Sequence, residues 1–141
     1  MADLPKVVSP LATVGEREGV ELILVSVEAW PDEVVVRMRG RTSPLTRRME
    51  ADFDAALEAW HRKGSEGHPP DQPGERVFAT DLDVHVTDEF GTAYKLRASA
   101  RGGTGTEFHA NWTFVPGPPD RARRLTVRVG GRDTEIPLES E

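Results

Sequence analysis

Apolar residues recur at every second position in several segments of this 141-residue chain, and this period of two limits the fold more than any other feature. Side chains of a β-strand point alternately to opposite faces, so the pattern predicts strands with at least one buried face. It occurs in the segments 20–27, 34–39, 82–87, 93–98, 108–115, 125–130 and 134–138. A weaker strand is predicted over 6–14, where Pro5 and Pro10 are typical of a sheet edge.

Short turn sequences separate these runs and predict hairpins. Residues 29–32 join the first two long runs, residues 88–91 join 82–87 to 93–98, and two glycines at 130–131 precede the last strand. Proline presets φ and glycine permits positive φ, which are the backbone conformations that tight turns require. Strands joined in this way predict an antiparallel, all-β fold.

One segment has a period of three to four residues and predicts an α-helix from about residue 44 to residue 63. Ser43 followed by Pro44 is typical of a helix start, and Gly64 is typical of a helix end. We expect the apolar stripe of this helix to cover an open end or edge of the core. The stripe consists of Leu45, Met49, Phe53, Ala56, Leu57 and Trp60.

The length of the chain is that of one domain. We therefore predict a single domain over residues 1–141, a two-sheet antiparallel sandwich of seven to eight strands. The helix 44–63 and a flexible, Pro- and Gly-rich loop at 65–75 are inserted between strands. The chain has no cysteine, which excludes disulfides, cysteine-bound zinc and thiol nucleophiles.

The segment VTDEFGTAY, residues 86–94, resembles the "VTDDxGxxY" strand-turn-strand of bacterial immunoglobulin-like domains. In those domains it leads to a Trp-containing strand and then to an RRLTV strand, which correspond here to residues 109–114 and 123–127. The resemblance covers about residues 81–138, and the earlier strands at 20–40 are compatible with it. The chain resembles small proteins of actinobacterial type. The resemblance implies an immunoglobulin-like β-sandwich and no catalytic residues.

The charge balance favours a protein that does not bind nucleic acid. The net charge is −6 and the isoelectric point about 5.3, whereas nucleic-acid binding requires a basic face. No stretch approaches the roughly 20 apolar residues of a membrane span, and residues 1–10 do not resemble a signal peptide. We therefore expect a cytoplasmic protein without membrane contact.

Residue types that carry catalysis are present but do not form a catalytic pattern. The segment 64–67, Gly-Ser-Glu-Gly, lacks the G-x-S-x-G spacing and the preceding strand of a nucleophile elbow. No Ser, His and Asp fall in the order of a triad on rigid elements. We therefore expect no enzyme activity, no catalytic residues and no cofactor.

Two metal sites are conceivable alternatives. His85 and His109 fall on the polar faces of two strands, and with Asp83 they would bind a divalent metal if those strands were neighbours. The other alternative is a calcium site on the acids of one predicted hairpin, namely Asp81, Asp83, Asp88 and Glu89. Turn chemistry accounts for the last two acids, and the spacing of a calcium loop is missing. We assign no metal ligand.

Two segments are candidate binding sites. Trp30 precedes a proline in a tight turn, where burial is difficult, and tryptophan is enriched at binding hot spots. The glycine-rich connection after the strand 93–98 offers backbone amides, hydroxyls and a cation to an anion or a peptide. Its residues are Arg101, Gly102, Gly103, Thr104, Gly105 and Thr106. In contrast, we expect the aromatic residues Trp60, Phe108, Trp112 and Phe114 in the core.

The leading hypothesis is a non-catalytic protein-interaction module whose partner is another protein. It would use a strand edge, or a loop end bearing Trp30 and residues 101–106. The alternative is a small-ligand or divalent-metal-binding sandwich protein that uses the face of Asp81, Asp83, His85 and His109.

Overall fold

The computed structural model describes residues 4–78, 82–102 and 108–138, which form two antiparallel β-sheets and two helices. The strands are β1 (Lys6–Val8), β2 (Ala12–Arg17), β3 (Val20–Ala29), β4 (Val34–Gly40), β5 (Val84–Asp88), β6 (Lys95–Gly102), β7 (His109–Val115), β8 (Arg124–Val129) and β9 (Arg132–Pro137). The helices are α1 (Pro44–Arg62) and α2 (Pro73–Val77).

The two sheets differ in width. In sheet A, β1 and β2 both pair with the same edge of β3, and the order continues β3-β4-β7-β6. Sheet B has only three strands, in the order β5-β8-β9. Every pairing is antiparallel, which confirms the predicted all-β, two-sheet fold with an inserted helix.

The first predicted strand is two strands. The segment 6–14 is interrupted at residues 9–11, where Leu11 has a φ of 50°, a conformation that does not continue a strand. This break raises the number of strands among the described residues to nine, one more than the upper limit of the prediction.

The predicted hairpin through residues 88–91 is wrong, whereas those through 29–32 and 130–131 are confirmed. β5 pairs with β8 and β6 pairs with β7, so the chain crosses from sheet B to sheet A at residues 88–94. A turn sequence specifies a reversal of the chain, but it does not specify which strand becomes the neighbour.

The core lies between the inner faces of the sheets. Leu24 and Val27 of sheet A and Leu125 and Val127 of sheet B have no exposed surface. Each such side chain contributes about 1.5–3 kcal/mol through burial. The predicted core residues Phe108, Trp112 and Phe114, at most 7% exposed, also lie in this layer.

α1 starts and ends as the sequence predicts, to within one residue. The Ser43 hydroxyl accepts a bond from the Thr46 backbone N–H (3.2 Å), and the Thr46 hydroxyl accepts one from the Ser43 N–H (2.8 Å). These reciprocal bonds form a capping box, and Pro44 occupies the first turn. Gly64, with a φ of 83°, follows the C-terminal cap.

Only the first half of the apolar stripe of α1 is buried. Met49 is buried and Leu45 packs partly against the core, but Phe53, Leu57 and Trp60 are only half-buried. The prediction that Trp60 lies in the core is therefore wrong, and its indole N–H donates to the backbone oxygen of Glu66 (3.0 Å). A helix of this length spans about 28 Å, more than the ~10 Å between packed sheets that it can cover.

The segment 65–75 is exposed as far as residue 72, apart from the half-buried Pro70, but it does not continue as a loop to residue 75. α2 begins at Pro73, which is buried together with Gly74. The apolar residues that follow, Val77 and Phe78, are at most 1% exposed and join the core. The loop is thus shorter than predicted.

Replacing Leu24 with alanine tests the position of the core. We expect Leu24→Ala to lower the free energy of unfolding by about 2–5 kcal/mol, because it leaves a cavity between the sheets. Leu4→Ala, at a residue that is 76% exposed, is the matched control and should change it by less than about 0.5 kcal/mol. Urea unfolding measures both values, and equal values would contradict this description of the core.

Candidate functional site: the cleft between β5 and β6

The two sheets meet closely on one side of the sandwich and separate on the other. On the closed side β2 contacts β9, and the guanidinium of Arg132 donates to the backbone oxygen of Thr13 (3.3 Å). On the open side a cleft of about 490 Å³ lies between β5 of sheet B and β6 of sheet A. We call it the β5–β6 cleft.

The floor of the β5–β6 cleft is aromatic. Phe78 and Trp112 meet edge to face, with ring centroids 6.2 Å apart and planes at 70°, and Phe114 lies beside them. The β5 side of the cleft is formed by Leu82, Asp83, Val84 and His85, and the β6 side by Tyr94, Lys95, Leu96, Ser99, Ala100 and Arg101.

β6 is exposed on both of its faces. Its partner β7 alternates buried and less buried residues, but every residue of β6 from Lys95 to Arg101 is exposed, including Leu96 at 53%. The reason is the difference in width, because three-stranded sheet B ends before it reaches the last strand of sheet A. The inner face of β6 therefore overhangs the cleft.

The outer edge of β6 pairs with no strand in the described part of the chain, and the same holds for the outer edge of β5. Such an edge presents unpaired N–H and C=O groups to any extended chain that approaches it. α2 contacts β6, and Phe78, the residue after α2, supplies part of the floor. One boundary of the cleft is thus a strand edge and the other an aromatic surface.

Charges of opposite sign line the two walls. β6 carries Lys95, Arg97 and Arg101, of which Arg97 forms an ion pair with Glu33 (2.7 Å). On the opposite wall, Nε2 of His85 lies 3.4 Å from a carboxylate oxygen of Asp83. The β6 wall is therefore cationic, although the chain as a whole is acidic.

The crossing from β5 to β6 is held by Asp88. One oxygen of its carboxylate accepts bonds from the backbone N–H groups of Phe90 (2.8 Å) and Thr92 (3.1 Å), and the other accepts the Tyr94 hydroxyl (2.7 Å). Burial alone raises the pKa of Asp88, but these bonds outweigh it and lower the pKa below its ordinary value. Burial, together with the bond to Asp88, raises the pKa of Tyr94.

Glu89 ties the same crossing to the start of β8. Its carboxylate accepts bonds from the backbone N–H groups of Arg123 (2.9 Å) and Arg124 (3.4 Å), and the first of these bonds is the main cause of its lowered pKa. The guanidinium of Arg121 lies over the ring of Phe90, 4.9 Å from its centroid. These contacts fix where the crossing leaves sheet B and hence where β6 begins.

Trp30, the predicted exposed anchor, is half-buried. Its indole N–H donates to the Glu28 carboxylate (3.0 Å), and its backbone N–H donates to the oxygen of Glu33 (2.8 Å). The ring lines a smaller cleft of about 210 Å³, together with Pro118 and Pro119. Its role in binding stays a prediction.

The prediction that Trp30 and Arg101 share a loop end is wrong. Trp30 follows the end of β3 that is level with Phe114 of β7, whereas Arg101 pairs with Ala110, four residues away along β7. Trp30 and Arg101 therefore lie toward opposite ends of sheet A. Arg101 lines the β5–β6 cleft and Gly102 ends β6, while Gly103, Thr104, Gly105 and Thr106 lie outside the described residues.

The residues of the first metal alternative do not meet. His85 lies on β5 of sheet B and His109 on β7 of sheet A, so the two strands are not neighbours. In the second alternative, Asp88 and Glu89 are engaged by backbone amides, and Asp81 lies outside the described residues. The described residues contain no group of three His, Asp or Glu able to hold a metal ion.

Sequence reasoning missed Leu96 and the cleft that it borders. A signal was present, because the strand Lys-Leu-Arg-Ala-Ser-Ala-Arg at 95–101 carries cations and small residues where a central strand carries large apolar ones. Charges along a strand are typical of a sheet edge. The sequence does not reveal that the inner face of this edge overhangs aromatic rings.

Comparisons with protein-family models, curated proteins and solved structures find no match to this chain. Neither helix among the described residues is both long enough and apolar enough to cross a membrane.

Replacing Asp88 with asparagine tests the corner that positions β6. Because the folded-state pKa of Asp88 is lowered, its charge stabilises the fold at neutral pH, and this contribution is lost as the pH falls below about 4. We expect Asp88→Asn to lower the free energy of unfolding by about 1–2 kcal/mol at pH 7, because hydrogen bonds to a charged acceptor are stronger than those to a neutral one by about this amount. At pH 3 the loss should be clearly smaller.

Urea unfolding of both proteins at the two pH values measures this difference. Tyr94→Phe, which removes only the hydroxyl donor, is the companion variant and should raise the pKa of Asp88 in an NMR titration. A penalty for Asp88→Asn that is the same at pH 7 and pH 3 would contradict this role.

Proposed function

We propose that this chain is a non-catalytic protein-interaction module that binds an extended segment of another protein along the outer edge of β6. The observation that carries the proposal is the exposure of β6 on both faces beside a cleft with an aromatic floor. An extended segment at this edge would extend sheet A by one strand, the mode known as β-strand addition.

Backbone hydrogen bonds would supply the part of the affinity that does not depend on the partner's sequence. β6 is eight residues long, and the residues whose N–H and C=O groups do not bond to β7 turn these groups outward, where a partner strand can pair with them. The neighbouring pair β6–β7 is antiparallel, with one bulge between Leu96 and Ala98. The added strand would repeat this pattern on the other side.

Side chains of the added strand would supply the specificity. Alternate residues of a strand point to the same face, so every second residue of the partner would turn toward the cleft. There they would meet Leu96, which is 53% exposed and lies above the almost fully buried rings of Trp112 and Phe114. Covering this apolar surface favours association by about 25 cal/mol for each Å² removed from water.

The absence of catalysis is part of the proposal. Perturbed carboxylates often mark active sites. Near this cleft the carboxylates with lowered pKa values are Asp88 and Glu89. Asp88 accepts hydrogen bonds from the backbone of the crossing, and Glu89 accepts them from the backbone at the start of β8. This engagement supports a structural role for the two acids.

The net charge of −6 supports a protein rather than a nucleic acid as partner, and we place the module in the cytoplasm. The immunoglobulin-like relationship implied by the resemblance belongs to the same proposal.

A small organic ligand in the β5–β6 cleft is a second candidate function. Its volume of about 490 Å³ lies in the range of ligand pockets, and its floor is aromatic as in many of them. The cleft is bounded on one side by a free strand edge, however, and a small ligand would leave that edge unpaired. This difference gives the two functions distinct signatures in amide exchange.

Selection from a displayed library of linear eight-residue peptides tests the proposed function. We expect the selected peptides to slow hydrogen–deuterium exchange of backbone amides within residues 95–102, because an added strand pairs with them. A small ligand would leave these amides unchanged. Selection of no peptide, or protection confined to α1 or to sheet B, would overturn the proposal.

Leu96→Asp and Val7→Asp form the matched pair for this experiment. Both residues lie on edge strands of sheet A and are similarly exposed, 53% and 56%, but on opposite sides of the sheet. We expect Leu96→Asp to weaken binding of a selected peptide at least tenfold, and Val7→Asp to change it less than twofold. Fluorescence anisotropy gives the Kd values, and thermal unfolding checks that both variants are folded.

A further inference from the structure

We infer that the segment bound at β6 carries an acidic side chain four residues before an apolar one, and that it runs antiparallel to β6. The acid would bind Arg101 and the apolar side chain would cover Leu96. This inference rests on the proposed function, and it names the chemistry of the partner.

The pairing register of β6 defines the spacing between the acidic and the apolar side chain of the bound segment. Leu96, Ser99 and Arg101 pair with Phe114, Trp112 and Ala110 of β7. These three residues of β7 are spaced by two and point into the core, so their partners on β6 share the inner face. The bulge after Leu96 takes up the extra residue of β6. A regular strand therefore spans Leu96 to Arg101 in four residues, or about 13 Å.

The charges on β6 determine that the partner side chain opposite Arg101 is negatively charged. Arg97 is engaged by Glu33, whereas Lys95 and Arg101 form no ion pair with another described residue. Arg101 shares the inner face with Leu96 and lines the cleft, so it lies within reach of a side chain that points inward. Lys95 also lines the cleft, but it pairs with Val115 and therefore belongs to the outer face of β6. A guanidinium binds a carboxylate through two parallel hydrogen bonds, which makes an acid its preferred partner.

The β5 wall of the cleft does not cancel the preference of Arg101 for an acidic side chain. The acid that lines it, Asp83, lies next to the imidazole of His85, at 3.4 Å. It immediately precedes β5 of sheet B, whereas an added strand would lie in the plane of sheet A, beside the cations of β6. The charge next to the added strand is therefore positive.

The same charges disfavour a second copy of this chain as the occupant. Two β6 edges paired antiparallel would bring the cations of one copy, Lys95, Arg97 and Arg101, close to the same cations of the other. Like charges directly across a strand pair are destabilising. Cations on β6 thus act against self-association and in favour of an acidic partner.

The direction follows from the sheets themselves. Each pairing in sheets A and B is antiparallel, and antiparallel ladders are slightly more stable for each residue than parallel ones. A strand antiparallel to β6 meets Arg101 first and Leu96 four residues later. The order of the two side chains is therefore acidic first and apolar second.

Synthetic peptides test the inference directly. The probe is acetyl-Thr-Glu-Thr-Val-Thr-Leu-Thr-amide, and its two partners carry Gln in place of Glu, or Glu and Leu exchanged. We expect the probe to bind roughly tenfold more tightly than either partner, as charged, bidentate hydrogen bonds are the strong ones. The preference over the Gln peptide should shrink as salt is raised, because salt screens exposed charges.

Arg101→Gln and Arg47→Gln complete the experiment. Arg47 is an exposed cation of α1 that does not line the β5–β6 cleft, and it serves as the matched control. Arg101→Gln should abolish the preference for Glu over Gln, whereas Arg47→Gln should leave it unchanged. Slowed amide exchange on β6 reports binding independently of charge.

The outcomes separate the two proposals. Equal binding of the Glu and Gln peptides to the unaltered chain, with β6 still protected, would overturn the inference and leave the proposed function standing. A preference for Glu that survives Arg101→Gln would also overturn the inference. If neither these peptides nor the library peptides slow exchange on β6, the proposed function falls and the inference falls with it.

Discussion

The unequal width of the two sheets is the constraint on which the rest of the structure depends. A sandwich buries the inner face of a strand only where the other sheet lies opposite, and sheet B has three strands against the greater width of sheet A. On the side of β2 and β9 the sheets meet, so the uncovered width falls on the other side, at β6. The cleft, its aromatic floor and the exposure of Leu96 all follow from this offset.

The crossing at residues 88–94 determines which strands border the cleft. A hairpin there would have placed β5 and β6 side by side in one sheet, with no opening between them. Instead, Asp88 binds the backbone of the crossing, and Glu89 attaches it to the start of β8. Two acids that look like candidate metal ligands in the sequence thus direct the chain from one sheet to the other.

Much of the fold was predictable because it depends on local pattern. The period of two located the long strands, and the period of three to four, with Ser43, Pro44 and Gly64, located α1 to within one residue. The candidate site was far less predictable. Arg101 was identified as a binding candidate, but Leu96 was not, and Trp60 was placed in the core although it is half-buried. Burial depends on what lies opposite a side chain, and an amphipathic stripe does not report that.

The sequence by itself determined the all-β class, the inserted helix and the aromatic core of β7, since alternation and helix caps act over a few neighbouring residues. Only the tertiary structure decided that β5 and β6 belong to different sheets, that His85 and His109 are apart, and that β6 overhangs a cleft. Strand neighbours and sheet widths depend on contacts between distant parts of the chain. A turn sequence specifies where the chain bends, whereas the packing of both sheets decides what it bends toward.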